Sequence, residues 1–92
     1  MIARRMIVRG AVQGVGYRYA LIDAAQTLEV TGWVRNRRDG SVEAFVQGDT
    51  DAVARLINWA RTGPPAARVA DFEVLEEDPD KTLRDFGLRA TT

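Results

Sequence analysis

The 92-residue chain contains no cysteine and no histidine. The first absence excludes disulfides and thiolate metal sites. The second removes the commonest general base and the commonest metal ligand together. Catalysis near neutral pH then falls to arginine, asparagine, carboxylates, backbone N–H groups or water. Net charge is missing as well, since 13 basic residues balance 13 acidic ones. That weighs against a nucleic-acid binder, which needs a basic excess. No apolar run approaches the roughly 18 residues of a membrane helix. Met1-Ile2-Ala3-Arg4-Arg5 is too short and too charged for a signal peptide. The expectation is a single domain over residues 1–92, acting in the cytoplasm as a monomer, with neither membrane nor nucleic acid as partner. At this size only about two-thirds of the unfolded surface is buried, so the core must be compact.

The charges that are present are unevenly placed. Residues 1–40 hold seven arginines against three acids, and residues 71–85 hold seven acids against two bases. The second group reads as an exposed strand face and turn rather than a metal site. The first is consistent with an anion site in the N-terminal half.

Apolar spacing divides the chain into short elements. Ile2 to Val8 alternates as a strand. Residues 17–28 place Leu21, Ala24, Ala25 and Leu28 at helical spacing. Val30–Asn36 and Val42–Gln47 are β-type runs joined by Asp39-Gly40, a strong hairpin signal. Asp49 or Thr50 caps a second helix with a stripe of Val53, Leu56, Ile57 and Ala60, ended by Gly63-Pro64-Pro65. Val69–Glu76 is a fourth strand, and Leu83–Leu88 is a short edge strand or a tail. The order β-α-β-β-α-β predicts an α+β, ferredoxin-like sandwich, with an antiparallel sheet and two helices on one face. In that topology the ends of the first and second strands share one sheet edge. The loop after the first strand and Asn36 then lie there together, about 10 Å apart if one strand separates them.

The stretch from Val8 to Arg18 carries the most chemistry. Gly10, Gly14 and Gly16 separate a strand from a helix, and the segment closes on Arg18. Glycines permit tight turns and let backbone N–H groups approach a ligand. Such a loop at a helix start cradles an anion, and a guanidinium beside it grips a phosphate with two N–H bonds. Taken alone, Arg18 reads as a solvated helix residue and Asn36 as a turn residue.

The segment Gly10-Ala-Val-Gln-Gly-Val-Gly-Tyr-Arg18 resembles the first signature of the acylphosphatase family. The stretch from Gly32-Trp-Val-Arg-Asn-Arg-Arg-Asp-Gly-Ser-Val42 on to Gly48 resembles its second, and Gly63-Pro-Pro-Ala-Ala-Arg-Val69 is similar to a further family segment. The resemblance spans Met6 to Leu88. It implies hydrolysis of the carboxyl–phosphate bond of a small acyl phosphate, with no metal and no cofactor. It implies that Arg18 and the N–H groups of Gln13, Gly14, Val15, Gly16, Tyr17 and Arg18 hold the phosphate, and that Asn36 orients the attacking water. An amide suits that role because it positions a water without titrating. Phosphoryl transfer through a loose transition state needs mainly positioning and charge neutralisation.

Other residues read as packing or surface. The Tyr17, Trp33 and Trp59 side chains are expected to pack, and Arg35, Arg37 and Arg38 to form a solvated hairpin end. Glu29 stands where many relatives carry glycine after the first helix, which strains a left-handed cap. Two rival readings remain. One is a non-catalytic ferredoxin-like module binding an anion or RNA, for which only Trp33 and Phe45 could serve as base-stacking aromatics. The other is the acylphosphatase-like domain of a larger carbamoyl-transfer maturation protein, against which the chain's length favours a stand-alone enzyme.

Overall fold

A computed structural model describes residues 1–92. The elements run β1 (Ile2–Ala11), α1 (Tyr17–Thr27), β2 (Thr31–Asn36), β3 (Val42–Gly48), α2 (Thr50–Ala60), β4 (Arg68–Glu77) and β5 (Phe86–Leu88). The sheet order is β4-β1-β3-β2-β5. β1 pairs antiparallel with β3 and β4, and β2 antiparallel with β3. β1 and β2 therefore point the same way, with β3 between them.

One expectation needs correction: the sheet is mixed, because β5 lies parallel to β2. The cause is the route of residues 78–85. β4 ends on the far edge, and the chain crosses the sheet at the end where β2 begins. The buried Gln47 side chain holds that crossing, donating to the Asp80 carbonyl at 2.8 Å and accepting from its N–H at 2.7 Å. Gly32 N–H then donates to the Asp85 carbonyl at 3.0 Å. A strand that starts beside the start of β2 can only run parallel to it. The pairing continues past Leu88, with Arg89 N–H donating to the Val34 carbonyl and Thr92 N–H to that of Asn36.

The core lies on one sheet face. Met6, Val8, Val34, Ala44 and Val46 meet Tyr17, Leu21 and Ala25 of α1 and Val53, Leu56 and Ala60 of α2. Leu21 and Leu56 are fully buried, each worth roughly 1.5–3 kcal/mol of transfer free energy. The helix stripes follow the expected spacing, although Ala24, Leu28 and Ile57 sit at the margin of the core. Asp49 caps α2, its carboxylate accepting from Asp51 N–H.

The opposite face is polar and tightly paired. Buried Glu43 accepts from Arg35 at 2.8 Å and from Arg5 at 3.2 Å. Arg35 is thus not a solvated hairpin residue: it sits in β2, paired to Glu43 across the strands. Trp33 stacks on Phe45 and is flanked by the guanidiniums of Arg35 and Arg89, 4.8 and 4.6 Å from its ring centroid. Of the acidic group, Asp71 and Glu73 pair with Arg9, and Glu77 pairs with Arg5. Glu29 has φ 58 and is the sole non-glycine residue at positive φ, in line with the strained cap expected from sequence.

Candidate active site

The loop from Val12 to Gly16 joins β1 to α1. Val12 and Tyr17 anchor its two ends in the core, leaving Gly14 and Gly16 exposed. Both glycines are left-handed, at φ 74 and 80, and a Cβ on either would meet nothing within 4 Å. Torsion, not crowding, calls for glycine there. Gly10 has a different job from the one its spacing implied. It belongs to β1, at the irregularity in the β1–β4 register. A Cβ on it would lie 2.2 Å from the Arg68 carbonyl oxygen. It serves strand packing and makes no part of the cradle.

Gly16 is the N-cap of α1 and brings no side-chain acceptor. An N-cap serine or aspartate would have consumed a first-turn donor. As built, none of the backbone N–H groups from Gln13 to Tyr19 donates to any group of the protein. They are joined by the helix dipole, equivalent to about half a positive charge at this end. Arg18 is half-buried and enters no ion pair. Its guanidinium lies 5.9 Å from the centroid of the exposed Tyr19 ring. A cavity of about 240 Å³ is lined by Val12, Gly14, Gly16, Tyr17, Arg18 and Tyr19. Another, of about 290 Å³ at the β4 edge, is lined by Arg4, Glu76, Glu77 and Asp78; its carboxylates would repel a phosphate.

The Tyr17 side chain is committed to the core. It is buried, donates to the Ala60 carbonyl at 2.6 Å and packs on Trp59. Burial pushes its phenol well above the ordinary tyrosine range.

Asn36 closes β2 in the same row as Val42 of β3 and Val8 of β1. Directly paired residues share a face, so its side chain lies on the helix-covered side, two strand spacings or about 10 Å from β1. The residue is half-buried, and its Oδ1 is fully buried with no hydrogen-bond partner. An unsatisfied buried acceptor costs roughly 1–3 kcal/mol, so its retention calls for a physical reason.

One link between loop and strand was not legible in the sequence. Gln13 Nε2 donates to the carbonyls of Arg37 at 2.7 Å and Ser41 at 2.9 Å. The side chain crosses from the loop to the hairpin behind Asn36. No group of His, Cys, Asp or Glu side chains with metal-site spacing is present, and no helix is long and apolar enough to cross a membrane.

Comparison with known proteins bears on the chemistry. The sequence profile of the acylphosphatase family matches residues 4–88. An acylphosphatase from Pyrobaculum calidifontis is 48% identical over 92 residues, covering 99% of this chain and 84% of that one. The crystal structure of acylphosphatase from Bacillus subtilis superposes with a TM-score of 0.92 at 35% identity, covering 97% of this chain and 99% of that one. Full-length HypF in its phosphate- and nucleotide-bound form also matches, with a TM-score of 0.88 and 26% identity. There the match covers 98% of this chain and 12% of that one.

Proposed function

The chain belongs to the acylphosphatase family of enzymes, and from that premise we propose a metal-free hydrolysis of small acyl phosphates in which Arg18 and the N–H groups of Gln13–Arg18 hold the phosphate and Asn36 orients the attacking water. What carries this reading is a complementarity at one sheet edge. The loop offers backbone donors without acceptors, Arg18 offers a guanidinium without a counterion, and Asn36 offers a side-chain amide engaged by no protein group. A phosphate supplies the missing acceptors, and a water beside it supplies a partner for the free amide.

The reaction follows from those roles. Three phosphoryl oxygens spread their charge over the loop N–H groups, the helix start and Arg18, whose planar fork makes two charge-assisted bonds. The Asn36 amide hydrogen-bonds a water and fixes its lone pair toward phosphorus. Water attacks, the P–O bond to the acyl group breaks, and carboxylate and inorganic phosphate leave. A carboxylate leaves without protonation at neutral pH, since its pKa is about 4. Neither a general acid nor a strong base is required, which suits a chain with no histidine. Positioning and charge neutralisation supply the rate.

A non-catalytic RNA-binding module is disfavoured. Its aromatics would have to receive bases, but Trp33 is flanked by Arg35 and Arg89, and Phe45 is buried against it. A cytoplasmic monomer whose partner is the small-molecule substrate completes the proposal. The test is hydrolysis of acetyl or benzoyl phosphate by the purified chain, with and without excess chelator. The expected outcome is a rate well above background that chelator leaves unchanged and inorganic phosphate inhibits competitively. A background rate sinks the activity, and a chelator-sensitive rate restored by a divalent ion sinks the metal-free mechanism.

A further inference from the structure

The two halves of the site, loop and strand end, sit on separate elements with a third strand between them. Sheet pairing alone leaves the loop's height over Asn36 free. The Gln13 side chain spans that gap. Its Nε2 uses both protons, one on the Arg37 carbonyl at 2.7 Å and one on the Ser41 carbonyl at 2.9 Å. With two carbonyls as partners, only the NH₂ end of the amide can face them, so its orientation is unambiguous.

Both acceptors belong to a rigid turn. Arg37 N–H donates to the Ser41 carbonyl at 2.8 Å and Gly40 N–H to that of Arg37 at 3.0 Å. Asp39 Oδ1 accepts from Ser41 N–H and Oγ–H. Arg37 directly follows Asn36. Gln13 itself stands between Val12, anchored in the core, and Gly14, the first left-handed glycine of the loop. Its backbone is thus continuous with the anion donors, and its side chain holds the peptide next to the water-orienting amide.

We infer that Gln13 is a positioning residue whose side chain sets the separation between the phosphate cradle and Asn36, and that it acts on turnover through Asn36 rather than through phosphate binding. This rests on the assignment of Arg18 and Asn36 made above. A displacement of about 1 Å between reacting groups can cost about a hundredfold in rate. Phosphate held only by the loop is insensitive to that separation.

The test uses Gln13→Met, which keeps length and removes the donors, and Gln13→Lys, whose ammonium again offers protons to both carbonyls. Each is made in the wild-type and the Asn36→Ala backgrounds, with folding checked by circular dichroism. Gln13→Met is expected to lower kcat about tenfold to a hundredfold, with the phosphate inhibition constant within about threefold of wild type. Gln13→Lys recovers most of that loss. In the Asn36→Ala background, Gln13→Met costs less than about threefold more, because coupled residues are non-additive. Where the Met variant does not fold, Gln13→Asn, which withdraws the amide by one bond, carries the same expectation. The inference is overturned by a near-normal kcat in Gln13→Met, by losses that multiply in the double variant, or by a parallel loss of phosphate affinity. Failure of the underlying assignment is distinct, since it shows as a near-normal kcat in Asn36→Ala alone.

Discussion

Tyr17, the first residue of α1, donates a 2.6 Å hydrogen bond to the carbonyl of Ala60, the last residue of α2. That carbonyl is one of the orphan acceptors at a helix end, so one phenol closes α2 and pins the start of α1. Tyr17→Phe leaves the carbonyl buried and unpaired. It should cost about 1–3 kcal/mol of stability, read as a lower urea midpoint with unchanged m-value. Activity per folded molecule should change little, because the ring still anchors the loop in the core. An unchanged midpoint would show the bond to be energetically idle.

Arg18→Lys tests the clamp. Lysine keeps the charge and loses the planar fork. Affinity for inorganic phosphate should fall by roughly tenfold, the equivalent of about 1.4 kcal/mol for one charge-assisted bond. Phosphate inhibition constants measured on folded protein decide it, and wild-type inhibition would remove Arg18 from the phosphate site.

Asn36→Ala tests the water. Losing one preorganised polar group should lower kcat about a hundredfold to a thousandfold. Phosphate inhibition should change far less, since Arg18 and the loop donors remain. The variant should also fold at least as well, because a buried acceptor without a partner is removed. A folded variant with kcat within about threefold of wild type would reassign Asn36 to the hairpin turn.

Glu29→Gly should stabilise the chain by up to about 1 kcal/mol. A non-glycine residue in the left-handed region costs roughly 1–2 kcal/mol, part of which glycine returns through its freer unfolded state. Thermal melts of the two proteins measure it. A lower melting temperature would mean that Glu29 contributes contacts outweighing its strain.

Acid should destabilise the fold through Asp39 and Asp80. Ser41 donates to Asp39 through its hydroxyl and N–H, and Thr82 does the same for Asp80, holding both carboxyls below the usual range. A depressed folded pKa contributes stability above the unfolded value of about 3.9, and that contribution is lost as pH falls through the folded value. Urea midpoints should be flat from about pH 5 upward with respect to these groups and fall below about pH 4. Asp80→Asn should flatten part of the acid limb. An acid limb identical to wild type would show the Asp80 turn to be indifferent to protonation.

The sequence by itself determined the elements and the chemistry they could carry. Alternation around Met6 and Val8, the Leu21–Ala25 and Val53–Leu56–Ala60 stripes and Asp39-Gly40 are local signals, set by burial periodicity and turn torsions. Gly14 and Gly16 were legible for the same reason, since a left-handed loop before a helix writes itself in glycine. Tertiary structure decided what depends on distant neighbours. β5 runs parallel because Gln47 holds the crossing chain at the start of β2. Gly10 is required by the Arg68 carbonyl, 58 residues further along, and not by the loop. Arg35 is drawn from solvent by buried Glu43. The Gln13 amide finds its two carbonyls, and Asn36 Oδ1 is left without a donor, only once β3 has been laid between the two ends of the site. A side-chain amide carries no periodic signal, and its partners exist only after long-range packing has brought them within 3 Å.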